Sequence, residues 1–287
     1  MYDVARTNPP KPPVGDRLAE KLSAKAAKVV AKADKLTETA NRHAESLERL
    51  AERLDSLDLW MRDEPGRRQA RFTRAEIAAA AVKVADAEGL EAVTMRRLAA
   101  ELDAGTMTLY HYLRTKDELL ALLTDSMLGE VVVPDDEPIP DDWREALTLL
   151  ARRSRDALLR HPWALDIASH ESIGPNSVRH FDQTLQAVSS LDISLLDRLD
   201  IVVAVDEYVF GYCIEHRGGA HVPERDRMID YVEELVSGGG YPQLESLVEE
   251  IGHEAIWSAM VAHSADTSRF DRNLNRLLDG IEASLRH

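Results

Sequence analysis

At 287 residues, with 44% hydrophobic and 30% charged side chains, the chain can bury one large core or two modest ones. A run of about 18 apolar residues is absent, and residues 1–15 lack the apolar stretch of a signal peptide, which excludes a spanning helix and a secreted leader. The net charge of −16 is uneven: residues 1–61 carry 11 Lys/Arg against 10 Asp/Glu, 62–116 carry 10 against 8, and 117–287 carry 14 against 33. An acidic C-terminal half repels phosphate and would turn the basic end toward it, so the overall charge does not exclude nucleic acid.

Residues 1–15 are proline-rich and predict a disordered tail. Residues 16–61 are almost free of helix breakers, and Leu22, Val29, Leu36, His43, Leu50 and Leu57 recur every seven residues. Ala26, Ala33, Ala40, Leu47 and Leu54 follow four residues after them, which predicts a long amphipathic helix with a coiled-coil seam. Lys21, Lys25, Lys28, Lys32 and Lys35 make a basic stripe on it, either a solvated face or a sequence-blind phosphate contact. Its seam could bury against a dimer mate, its own protomer or another molecule. Residues 62–73 break the helix at Pro65-Gly66 and concentrate Arg67, Arg68 and Arg71. Such an arm is either a plain linker or a strand of cations able to enter a narrow minor groove.

Residues 74–127 read as three helices and the start of a fourth. The first is capped by Thr73 with Glu76 three residues on, buries Ile77, Ala81, Val84 and Ala85, and stops at Gly89. The second begins after Thr94, buries Leu98, Ala99 and Leu102, and places Arg96 and Arg97 near phosphates. After the turn Asp103-Ala104-Gly105, a third helix over 106–113 is anchored by Leu109 and Leu113. Thr106, Met107, Thr108, Tyr110, His111 and Tyr112 then point mostly outward, a face suited to base edges, thymine methyls and phosphates of double-stranded DNA. Two helices joined by a tight turn form a helix-turn-helix.

The string Thr94, Leu98-Ala99, Leu102, Leu109-Tyr110-His111-Tyr112-Leu113, Lys116 and Leu119-Leu120 resembles the DNA-binding domain of the tetracycline-repressor (TetR) family. The resemblance implies phosphate contacts from Thr94, Arg96, Tyr110, Tyr112 and Lys116, with Thr106, Met107, Thr108 and His111 nearest the bases. Asp103 stands where the family often has Gly, and Met107 replaces a small residue or proline, so the operator sequence is left open.

Residues 128–287 predict an all-α ligand-binding and dimerisation domain. After an acidic, proline-bearing loop, helices are expected from Asp141 or Asp142 to Arg160, around 163–169 and 177–190, over the apolar 195–216, and from Phe270 to Leu285, with Gly238-Gly239-Gly240 a mobile loop. Residues 195–216 and the 270–285 stripe would pair in a homodimer, as the resemblance implies. Trp163, His170, Phe181, Tyr208 and Tyr212, each able to combine packing with polarity or aromatic contact, are candidates for a small-molecule effector pocket, though each could equally be core.

No cofactor or metal is expected: His170-Glu171 and Glu215-His216 are adjacent pairs that diverge on a helix. Cys213, between Tyr212 and Ile214, reads as a small packed residue in a chain suited to a reducing cytoplasm. Phosphate loops, nucleophile elbows and triad spacings are lacking, so an enzyme is not expected. The sequence thus predicts a homodimeric regulator that binds a palindromic DNA operator, responds to a small molecule and has no membrane partner. The alternative is an architectural or partner-controlled DNA-binding protein.

Overall fold

The computed structural model describes residues 57–63, 71–167, 173–217 and 225–286, with backbone alone at 225–227, and all of them lie in one unit, Asp55–His287. The expected tail, most of the 16–61 helix with its lysine stripe, Arg67, Arg68 and His170 fall outside the described residues. Among the described residues every regular element is helical.

Helix α1, Arg74–Glu88, begins with a complete capping box. The Thr73 hydroxyl accepts the Glu76 N–H at 3.1 Å, and the Glu76 carboxylate accepts the Thr73 N–H at 2.7 Å. It ends at Gly89, whose φ of 85° is one that an L side chain avoids. Then come α2, Met95–Glu101, capped by Thr94, and α3, Thr106–Leu109, a single turn and shorter than expected. α4, Lys116–Val131, is capped by Thr115 and runs past residue 127, where a boundary was expected. It packs on α1 and also on the next two helices, α5 (Trp143–Arg160) and α6 (Pro175–Ala187). One core therefore runs from Leu98 and Leu109 through Leu123 and Met127 to Leu147 and Phe270.

The remaining body consists of a 3-10 turn at Pro162–Asp166, then α7 (Leu195–His216), α8 (Arg225–Ser237), α9 (Pro242–Ala265) and α10 (Arg269–Ser284). α7 lies on α5 and α10. Here one expectation is corrected: Phe270, Leu274 and Leu278 are buried in this protomer's own core and leave no apolar stripe on α10 for a mate. Their 3- and 4-residue spacing identifies a buried face without saying what buries it.

α6 has no cap of its own, because its N-cap position is Gly174. The cap comes from α4: Asp125 accepts the N–H groups of Asn176 at 3.0 Å and Ser177 at 3.1 Å. A Cβ on residue 174 would overlap the Asp125 carboxylate and come within 2.8 Å of the Trp60 ring, so only glycine fits. Burial raises the Asp125 carboxyl above the ordinary range, against these hydrogen bonds, which lower it.

On α7, burial pushes the Asp206 carboxyl up to about 6. An unfolded aspartate titrates near 3.9, so the folded state holds this proton more tightly and stability falls as pH rises through about 4 to 6. Asp206→Asn is expected to be the more stable protein at pH 7, by at most about 3 kcal/mol, and to flatten that part of the profile. Urea midpoints at pH 4 and 7 check this; parallel profiles would refute it.

Candidate nucleic-acid interface

The turn between α2 and α3 is set by Asp103, whose φ of 48° is the one positive value outside glycine among the described residues. The Ala104 N–H reaches the Ala99 carbonyl at 2.8 Å and the Asp103 N–H reaches that of Ala100 at 3.3 Å, a Schellman closure with aspartate in the left-handed position. That geometry explains why glycine suits this place. Arg71, expected as a minor-groove cation, instead donates to the Asp103 carbonyl at 2.6 Å and braces the turn.

Leu109 and Leu113 are fully buried beneath the turn, as expected, while Met107 is 73% exposed and Tyr110 and His111 also face outward. Thr106 and Thr108 are half-buried beside them. Tyr112 is a correction: it is only 2% exposed, and its hydroxyl accepts the Phe72 N–H at 3.1 Å. Residues 109, 112 and 113 share one face at helical spacing, so the tyrosine follows the leucines inward. Arg97 is a second correction. It is held by Glu88 at 2.7 Å and Glu101 at 2.9 Å, tying α1 to α2, and its hydrogen bond keeps the Glu88 carboxyl below the usual carboxylate range.

Arg96 and Lys116 remain exposed. With Thr94, Thr106, Tyr110 and Arg114 they line a surface concavity of about 400 Å³ onto which the first residues of α2 and α4 open. Unpaired N–H groups at a helix start attract anions, and three cations around two such starts make a cradle for backbone phosphate. The sequence reading passed over Arg114, although its place beside the Thr115 cap was visible.

In the body, the pocket candidates divide. Trp163 is buried, but its indole donates to Asp86 on α1 at 2.7 Å, and His161 Nδ1 lies 2.7 Å from the same carboxylate oxygen. His161 Nε2 lies 3.1 Å from Glu130 on α4, so this cluster fastens the body to the head and is no pocket wall. Phe181 is 51% exposed on α6 and is likewise removed from an enclosed site. Tyr208 donates to the Phe270 carbonyl at 2.8 Å, and Tyr212 stacks on His216 and meets Phe270 edge-on. The two tyrosines share the α7–α10 seam. Cys213 is buried, as expected of a packed residue, and burial pushes its thiol up to about 11.

A short helix-turn-helix presenting an uncharged reading face beside a cationic cradle, on an all-helical body, defines a DNA-binding transcription regulator, not an enzyme. Residues 77–123 match the family model for bacterial regulatory proteins of the tetR family, and residues 134–285 match that for the tetracyclin repressor-like C-terminal domain. The chain belongs to the tetR family. It is similar to the helix-turn-helix transcriptional repressor DrrR1 of Streptomyces coeruleorubidus, 33% identical over 242 residues that cover 78% of this chain and 83% of that one. Among solved structures, ActR from Streptomyces coelicolor without ligand aligns with a TM-score of 0.59 at 26% identity, over 76% of this chain and 98% of that chain. ActR in complex with actinorhodin gives 0.58 at 28% identity, over 75% and 98%.

Proposed function

We propose that the protein is a homodimeric repressor that binds a palindromic operator and is released from it by a small-molecule effector held in the body. The observation that carries this reading is the exposed Met107, Tyr110 and His111 beside the cradle of Arg96, Arg114 and Lys116. Thr94, Arg96, Tyr110 and Lys116 hold phosphate oxygens; Thr106, Met107, Thr108 and His111 lie nearest the bases. A dimer is supported by α7, which buries Val202, Val205 and Val209 but leaves Val203, Phe210 and Ile214 exposed on another face at spacings of seven and four. Two such heads reach successive major grooves one helical turn apart.

Effector release is supported by the likeness to ActR, which has been solved with actinorhodin bound, and by the Asp86–His161–Glu130 joint, a route from body to head. A ligand that prefers the conformer with wrongly spaced heads weakens DNA binding by its differential affinity.

The test is selection of bound duplexes from a random pool, followed by salt titration of the enriched one. A palindrome supports the dimeric repressor; failure of a folded protein to enrich any duplex would remove it. On the enriched duplex, Arg96→Ala and Lys116→Ala are each expected to weaken specific and random DNA alike and to lower the log–log salt slope by about 0.9. An unchanged slope would take that residue off the phosphate list.

A further inference from the structure

The segment just before the head is built into it. Residues 57–61 form a helical turn, Leu59 is 0% exposed within the core, and the Trp60 ring lies against Gly174 at the start of α6. Arg62 then reaches under the reading segment. Its Nη2 donates to the Tyr112 carbonyl at 2.8 Å and to Glu118 Oε2 at 2.9 Å, while Nη1 donates to Glu118 Oε1 at 3.2 Å. Glu118 is buried and also accepts the Arg114 N–H at 2.7 Å. The backbone of Arg62 is fixed in turn, because its carbonyl accepts from Arg74 at 2.7 Å.

A single turn such as α3 has too few internal hydrogen bonds to hold its own direction. Leu109 and Leu113 fix how deep it sits. At its far end, a cation on the Tyr112 carbonyl answers the negative end of the peptide dipoles and ties that carbonyl to a carboxylate on α4. We infer that Arg62 is a positioning residue for operator reading: by clamping the Tyr112 carbonyl to the buried Glu118 it sets the angle of residues 106–112 on α4. The guanidinium makes bidentate contact with the carboxylate, a geometry lysine cannot reproduce. Its donors are spent inside the protein, so it reaches the bases only through the helix it holds.

This inference rests on the reading of DNA by α3 proposed above. The test uses full-length Arg62→Met, Arg62→Lys and the double variant Arg62→Met/Glu118→Gln. Each is titrated with the duplex enriched by the wild-type chain and with a scrambled duplex, over a salt series, beside a thermal melt. Arg62→Met is expected to weaken the enriched duplex by about tenfold and the scrambled one by less than about twofold, with the salt slope unchanged. Arg62→Lys should recover part of the preference. The double variant, which removes the stranded buried charge, should recover melting temperature but not preference.

Equal loss on both duplexes with a slope lower by about 0.9 would make Arg62 a phosphate contact and overturn the inference. So would a preference that returns in the double variant together with stability, since that is a purely structural role. If the wild-type chain enriches no duplex, the reading by α3 falls and Arg62 falls with it. If it enriches one and Arg62→Met keeps the same preference, Arg62 alone is refuted.

Discussion

Phe270→Ala is expected to lose about 3–5 kcal/mol of folding free energy, the cost of emptying a well-packed aromatic site. The ring is wholly buried and closes the α7–α10 seam. Tyr208 lies 5.3 Å away by ring centroid, Tyr212 meets it edge-on at 4.9 Å, and the Arg155 guanidinium sits over its face at 4.5 Å. Truncation removes all three contacts at once, and the neighbours are themselves tethered: the Tyr208 hydroxyl is bonded to the backbone of residue 270, so the site cannot collapse freely. A melt followed by circular dichroism should show the midpoint lowered on the order of 10 °C. Operator binding measured below the new midpoint should survive, because the seam lies far along the chain from the reading face. A loss under about 1 kcal/mol would mean the seam repacks, and the tethered-ring account would be wrong.

Asp86→Ala tests the joint between head and body. The carboxylate takes the Trp163 indole N–H at 2.7 Å and lies 2.7 Å from His161 Nδ1, both on buried rings from the body. Removing it strands two polar groups away from water and should cost about 2–3 kcal/mol. Unlike Phe270→Ala, this change should also weaken operator binding, since α1 would lose its hold on the body. Trp163→Phe, which keeps the ring and drops one donor, is expected to cost about 1 kcal/mol. Wild-type melting and wild-type DNA affinity in Asp86→Ala would show that the joint transmits nothing.

Features decided within a few residues were legible in the sequence: the Thr73–Glu76 box, the Thr94 cap, Gly89 and the buried Leu109 and Leu113 all follow from local spacing. Features decided by distant partners were not. Trp163 looked like a pocket residue because nothing in its neighbourhood announces Asp86, 77 positions earlier. Arg97 looked like a phosphate contact because a cation near a helix start is normally free; Glu88, nine residues back, claims it. Tyr112 was misread for another reason. Its polar tip suggested an outward side chain, yet its ring follows the leucine face and its hydroxyl finds a backbone partner in Phe72. The reading face survived as Met107, Tyr110 and His111, but the clamp behind it needed the fold.

The borrowed cap of α6 also bears on the order of assembly. Thirteen residues are too few to hold a helix in water alone, and this one starts with a glycine that supplies no cap. Its first turn is closed by Asp125, a side chain 51 positions upstream of Asn176. During synthesis α4 leaves the ribosome long before α6, so the missing acceptor is already in place when the segment emerges, and the helix is templated by the wall it will cover.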